Sequence, residues 1–87
     1  MSNAITLFHT TTCPFCTQAE RLLARYGVSE IVKINIGQSV ELRDQMVART
    51  GRRTVPQIFI AGQHVGGYDD LVELERGGAL AALLQSA

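Results

Sequence analysis

Residues 1–87 read as one α/β domain: a four-stranded mixed sheet with helices on both faces, in the order β-α-β-α-β-β-α. Three observations predict it. Two apolar runs flank an amphipathic helix in the first half of the chain, the signature of a parallel β-α-β unit. A tight Ala61-Gly62 turn joins two further short strands, which appends an antiparallel hairpin. With 46% hydrophobic and 18% charged residues, the composition is that of a compact globular chain.

The elements follow in order. Ala4 to Phe8 carries Ile5, Leu7 and Phe8 and ends in the polar cluster Thr10-Thr11-Thr12, a buried strand running into a loop. Phe15, Ala19, Leu22, Leu23 and Tyr26 then fall at helical spacing as the buried side of a helix, with Gln18, Glu20 and Arg25 on other faces and Gly27 as the stop. Ile31 to Ile36 is rich in β-branched residues and predicts the second strand. Ser39 caps a second helix that buries Leu42, Met46 and Val47 and closes at Gly51. Val55 to Ile60 is the third strand, with Pro56 near its start where a missing N–H does least harm. Gln63-His64-Val65 pairs back on it, and Gly66-Gly67 ends the hairpin. Asp69 or Asp70 caps a last helical region carrying Leu71 and Leu74, and Ala79 to Leu84 adds one or two helical turns after Gly77-Gly78.

Composition excludes several function classes. Eight basic and eight acidic residues cancel, so the chain lacks the electrostatic footprint of a nucleic-acid binder. No apolar stretch approaches the roughly 20 residues needed to cross a bilayer. Two cysteines are far from a secreted disulfide scaffold, and no charged segment followed by an apolar run opens the chain, which predicts a cytoplasmic protein. The charges are nevertheless segregated. Arg43, Arg49, Arg52 and Arg53 precede Pro56, while Asp69, Asp70, Glu73 and Glu75 follow Gly67.

The chemistry concentrates at Cys13-Pro14-Phe15-Cys16. A disulfide between residues so close in sequence restrains little of the unfolded chain, so the pair is a poor staple. Pro14 suits the first helical position, where its absent N–H and fixed φ carry no penalty. Cys13 then becomes the N-cap. Its sulfur faces the free N–H groups of Phe15 and Cys16, and the helix dipole stabilises an anion there by roughly 0.3 to 2 kcal/mol. Both effects favour the thiolate, the reactive form. Cys16 lies one turn further in and is less exposed, which predicts Cys13 as nucleophile and Cys16 as resolving thiol. A C-x-x-C pair is also half of a zinc site, and His9 and His64 would complete a Cys2His2 set. Pro14 argues against it by committing the pair to a strand-to-helix junction, which leaves the histidines as ordinary strand residues and no metal expected.

C-P-F-C after the first strand, Thr54-Val55-Pro56, and Gly66-Gly67-Tyr68-Asp69-Asp70 together resemble the dithiol glutaredoxins of the short bacterial type, over essentially the whole chain. The resemblance implies a thioredoxin-like (glutaredoxin) fold. It also implies a monomeric enzyme that uses glutathione as reductant and co-substrate to reduce protein disulfides and glutathionylated proteins. Glutathione would lie in a groove beside Cys13, formed also by Thr12, Phe15, Thr54 and Gly67. The backbone of Val55, next to a cis Pro56, would pair with its cysteinyl part in the manner of an added strand. The backbone of Tyr68 and the side chain of Asp69 would hold the γ-glutamyl end, and Arg43 and Arg53 are the implied contacts of the glycyl carboxylate. Three departures stand out. Thr10 replaces the usual Lys, which implies a less acidic Cys13 and weaker glutathione binding; Phe15 replaces the commoner Tyr; Tyr68 replaces a small residue. The competing readings are an iron-sulfur carrier, disfavoured by Pro14 and Cys16, and a relative reduced by thioredoxin reductase, disfavoured by the arginines and Asp69.

Overall fold

A computed structural model describes residues 5–85. The elements are β1 (Ile5–His9), α1 (Pro14–Arg25), β2 (Val32–Asn35), a 3-10 turn (Ile36–Gln38), α2 (Val40–Thr50), β3 (Gln57–Ile60), β4 (Gln63–Gly66), α3 (Tyr68–Arg76) and α4 (Ala79–Gln85). The sheet order is β2-β1-β3-β4. β1 and β2 are parallel, and the other two pairings are antiparallel, which is the expected mixed sheet.

Alternation along the strands divides the core into two layers. Ile5, Leu7, Ile58 and Ile60 point to one face and pack against Ala19, Leu22 and Leu23 of α1, Leu71 of α3 and Leu80 of α4. Phe8 and Phe59 point to the other, against Ile36 and Met46 of α2. Their rings meet edge to face at 6.1 Å, and the Arg49 guanidinium lies over Phe59, 4.3 Å from the ring centroid. Such cation–π contacts contribute roughly 0.5 to 2 kcal/mol, so the charged end of α2 helps to cover this smaller layer.

Several boundaries differ from the sequence expectation. Ala4 lies outside the described residues. β2 stops at Asn35, because the Asn35 Oδ1 accepts from the Gly37 N–H at 2.9 Å and turns the chain out of the ladder. β3 begins at Gln57 rather than Val55, since Pro56 has no N–H to give a ladder. Phe15 of α1 and Tyr26 just past it are 55% and 40% exposed, so neither belongs to the buried face. Phe15 sits on the first turn of the helix. Tyr26 lies past the last turn, where its hydroxyl donates to Glu75 and ties α1 to α3. Of the apolar residues expected in the core from α2, Met46 alone is buried; Leu42 and Val47 are half-buried. The predicted stops hold: Gly27 and Gly51 both take positive φ, +83° and +72°.

A core this small makes each large side chain count. Leu22→Ala should lower the unfolding free energy by about 2–5 kcal/mol, against a total near 5–15 for ordinary domains. Chemical denaturation checks this; an unchanged midpoint would contradict the assigned packing.

Candidate active site

β1 leads directly into the site. After His9 the chain makes a short polar turn and enters α1 with Cys13 as N-cap and Pro14 as the first helical residue, as the sequence predicts. Cys13 and Cys16 are joined in a disulfide, their Cα atoms 5.2 Å apart, within the usual reach of such a bond. Cys16 is 2% exposed, whereas Cys13 is only half-buried. The two sulfurs are therefore unequal toward solvent. Of the two N–H groups expected at the Cys13 sulfur, that of Cys16 is engaged, at 3.2 Å. It is the contact an N-cap oxygen would make, and it favours negative charge on Cys13 once the disulfide opens.

Across a groove from Phe15, on the first turn of α1, stands the loop before β3. The Val55–Pro56 peptide is cis. Beyond the loop is the start of α3, which differs from expectation: its N-cap is Gly67, not an aspartate. Asp70, at the third helical position, reaches back to accept from the Gly67 N–H at 2.8 Å. The same Oδ2 accepts from Arg52 Nη1 at 3.0 Å. The Gly67 N–H, then Arg52, hold the Asp70 carboxyl below its usual pKa. Gly66 makes this clamp feasible. Its φ is +116°, and a Cβ there would overlap the Asp70 carboxylate.

Between these pieces lies an open groove of about 230 Å³, lined by Phe15, Arg52, Thr54, Val55, Pro56, Gly67, Tyr68, Asp69 and Asp70. Phe15 and Tyr68 face each other across it, their rings stacked with centroids 6.0 Å apart. The structure thus brings together Phe15, Thr54, Val55, Pro56, Gly67, Tyr68 and Asp69 from the sequence-predicted set. Thr12 and Arg53 are exposed and outside the lining, and Arg43 lines a separate depression with residues 36–40. The arginine in the groove is Arg52. Sequence reading left it in a general basic cluster; the signal that singles it out is its ion pair with Asp70, which no linear spacing reveals. Among the described residues no group of three or more His, Cys, Asp or Glu is arranged to hold a metal ion, so His9 and His64 do not complete a metal set with the cysteines. No helix among them is long and apolar enough to cross a membrane.

The Asp70 clamp carries a pH signature. A depressed carboxyl contributes stability that is present above the ordinary aspartate range and lost as pH falls through the folded-state value. The stability difference between the parent and Asp70→Asn should therefore be largest near neutral pH and close as the solution becomes strongly acidic. Urea titrations at several pH values measure it, and a difference that grew toward low pH would refute the clamp.

The chain is similar in sequence and fold to known proteins. Residues 5–65 match the family described as Glutaredoxin. Glutaredoxin 3 of Escherichia coli is 47% identical over 74 residues, covering 85% of this chain and 88% of the relative. A glutaredoxin of Neisseria meningitidis serogroup A is 44% identical over 80 residues, covering 92% and 94%. Among solved structures, a buckwheat glutaredoxin–glutathione complex superposes with a TM-score of 0.88 at 32% identity, covering 98% of this chain and 79% of that one. The solution structure of glutaredoxin from Brucella melitensis gives 0.81 at 44% identity, covering 95% and 89%. The strand-to-helix C-P-F-C, the cis proline loop facing it and the full-length likeness converge on one conclusion: the chain belongs to the glutaredoxin family of glutathione-dependent thiol-disulfide oxidoreductases, with the thioredoxin-like fold.

Proposed function

We propose that the protein reduces disulfides and glutathione mixed disulfides of proteins, with Cys13 as nucleophile and Cys16 as resolving thiol, as a single-domain monomer in the cytoplasm. The observation that carries the division of roles is the contrast between a half-buried Cys13 at a helix N-terminus and a Cys16 that is 2% exposed. The Cys13 thiolate attacks the glutathione sulfur of a mixed disulfide, and the substrate protein leaves as thiolate and takes up a proton. Two routes then regenerate the enzyme. A second glutathione thiolate attacks the Cys13–glutathione disulfide, giving glutathione disulfide and a free Cys13. Alternatively Cys16 displaces the glutathione and forms the Cys13–Cys16 disulfide, which two glutathiones later reduce. Reduction of a protein disulfide uses the second thiol in the same way, closing Cys13 to Cys16 and freeing both substrate thiols.

The groove has the charge pattern of the co-substrate. Glutathione carries a carboxylate at each end and an ammonium beside one of them. Asp69 and the start of α3 suit the γ-glutamyl end, where the free N–H groups and the helix dipole favour a carboxylate and Asp69 the ammonium. Val55 offers its backbone to the cysteinyl part. Phe15, Thr54, Pro56 and the Gly67 and Tyr68 backbone shape the walls, and Thr12 lies beside Cys13 in the sequence. The glycyl carboxylate takes a cation. Arg43 and Arg53 belong to that role by resemblance, and Arg52 joins them because it lines the groove.

Cys13→Ser should drop turnover of a glutathionylated peptide to background. Cys16→Ser should keep that activity while losing reduction of an intramolecular protein disulfide; a folded Cys16→Ser protein inactive in both assays would remove the proposed roles. Thr10→Lys should lower the pH at which Cys13 ionises, by adding a cation three residues away. Alkylation rates followed across pH report that midpoint, and an unmoved midpoint argues that position 10 does not act on the thiol.

A further inference from the structure

One polar side chain of the described residues is wholly buried, and it lies just behind the groove. Gln57 is 0% exposed, at the start of a strand otherwise made of Ile58, Phe59 and Ile60. Both ends of its amide are engaged. Nε2 donates to the Thr54 carbonyl at 3.0 Å and lies 3.4 Å from Thr54 Oγ1, while Oε1 lies 2.8 Å from His64 Nε2. These contacts define every role in the chain of bonds. A carbonyl only accepts, so the amide nitrogen must face Thr54 and the amide oxygen must face His64. His64 Nε2 is then the donor.

The strand register explains why the pair meets. His64 lies opposite Phe59 in the antiparallel β3–β4 ladder, so Gln57, two residues before Phe59, is its diagonal neighbour on the same face. A register shift between Ile58 and Phe59 bends β4 at this point. The imidazole also packs on Phe59 with ring centroids 5.0 Å apart. Burial, then the nearby Arg52, lower the His64 pKa, with Asp70 opposing. Both the neutral Nε2–H tautomer and the imidazolium carry a proton on Nε2, so the bond to Gln57 survives either state.

The consequence falls on Val55. The Thr54 carbonyl and the Val55 N–H belong to one planar peptide; it is trans, and its two dipoles point in opposite directions. Gln57 holds the carbonyl, and in a trans peptide the Val55 N–H then points the opposite way, away from Gln57, in a segment whose residues Thr54, Val55 and Pro56 line the groove. Among the described residues, no protein acceptor takes that N–H. Pro56 has no N–H of its own, so the Val55 N–H is the last backbone donor before β3.

The geometry points to Gln57 and His64 as a positioning pair for the reaction: they hold the Thr54 carbonyl so that the Val55 N–H is aimed at the ligand in the groove. Neither side chain lines the groove. The inference rests on the reading in which Val55 pairs with the cysteinyl part of glutathione. It also accounts for a buried amide where an apolar residue would fill the same space, because an apolar side chain could not orient the peptide.

Two variants test it. Gln57→Met keeps length and removes both bonds; His64→Phe keeps the ring on Phe59 and removes only the donor to Gln57, so it covers the case in which Gln57→Met does not fold. The probe is the glutathione mixed disulfide of a short cysteine peptide, with KM and kcat measured separately. One hydrogen bond to a bound ligand contributes of the order of 1 kcal/mol, so KM should rise roughly three- to tenfold in Gln57→Met and less in His64→Phe. Turnover at saturation should stay within about twofold of the parent, and the pH midpoint of Cys13 ionisation should not move. In the free proteins the Val55 backbone amide resonance should move in both variants. Variants that lose stability but keep both the parent KM and the Val55 resonance would overturn the pair's role, as would a fall in kcat with unchanged KM. A parent that showed no saturation with the mixed disulfide would instead overturn the glutathione reading, and the Val55 resonance would then decide the positioning pair alone.

Discussion

The constraint on which the site depends is the antiparallel pairing of β1 with β3. It sets Phe8 beside Gln57, so the end of β1 and the beginning of β3 reach the same edge of the sheet. β4 returns alongside, with Gly66 opposite Ile58, so the chain leaves for α3 at that edge as well. Three segments far apart in sequence, at Phe15, Val55–Pro56 and Gly67–Tyr68, thereby border one groove, with Cys13 two residues before Phe15 at the start of α1. The sheet can hold them rigidly because both of its faces are covered, by α1, α3 and α4 on one side and α2 on the other. Reactive groups at the ends of a well-packed scaffold keep their spacing without stabilising contacts between themselves.

Electrostatics at this edge is built chiefly from backbone dipoles. The start of α1 serves the Cys13 sulfur, and the start of α3 is clamped by the Asp70 carboxylate through the Gly67 N–H. Two helix N-termini thus face a common groove, which favours anionic groups from both sides. Arg52 shares its charge with Asp70, and both side chains remain partly exposed, so their ion pair contributes little to stability. Its effect is local. It holds a cation on the groove wall and ties the loop before β3 to the start of α3.

The aromatic pair Phe15 and Tyr68 forms one wall of the groove. An aromatic at position 15 alone reads from the sequence as either core or groove cover, since it falls in phase with the buried residues of α1. The structure favours the cover, because Phe15 is more than half exposed and lines the groove. Tyr68 then stacks on it. Two rings thus meet at the groove and give its rim an apolar face beside the charges of Arg52, Asp69 and Asp70.

Much was legible in the sequence because much of this fold is local. The order of elements, the Ser39 cap, the Gly27 and Gly51 stops, the hairpin turn and the placement of Cys13 before Pro14 follow from propensities and capping rules that act over a few residues. Charge segregation was legible too, and so was the resemblance, which supplied the cis proline that spacing alone cannot. What the sequence left open depends on contacts between segments. It could not single out Arg52 from Arg43, Arg49 and Arg53, because the pairing with Asp70 spans 18 residues and is created by β3 and β4 folding back. It could not tell that Asp70 reaches Gly67 rather than capping α3 itself, since that requires the left-handed turn at Gly66. Nor could it give Gln57 and His64 a purpose, for a glutamine in an apolar strand means nothing until its amide has partners. The sequence by itself determined which residues could react; the tertiary structure decided which of them face one another, because hydrogen bonds and ion pairs across a groove depend on ångström-scale positions that only the packed sheet provides.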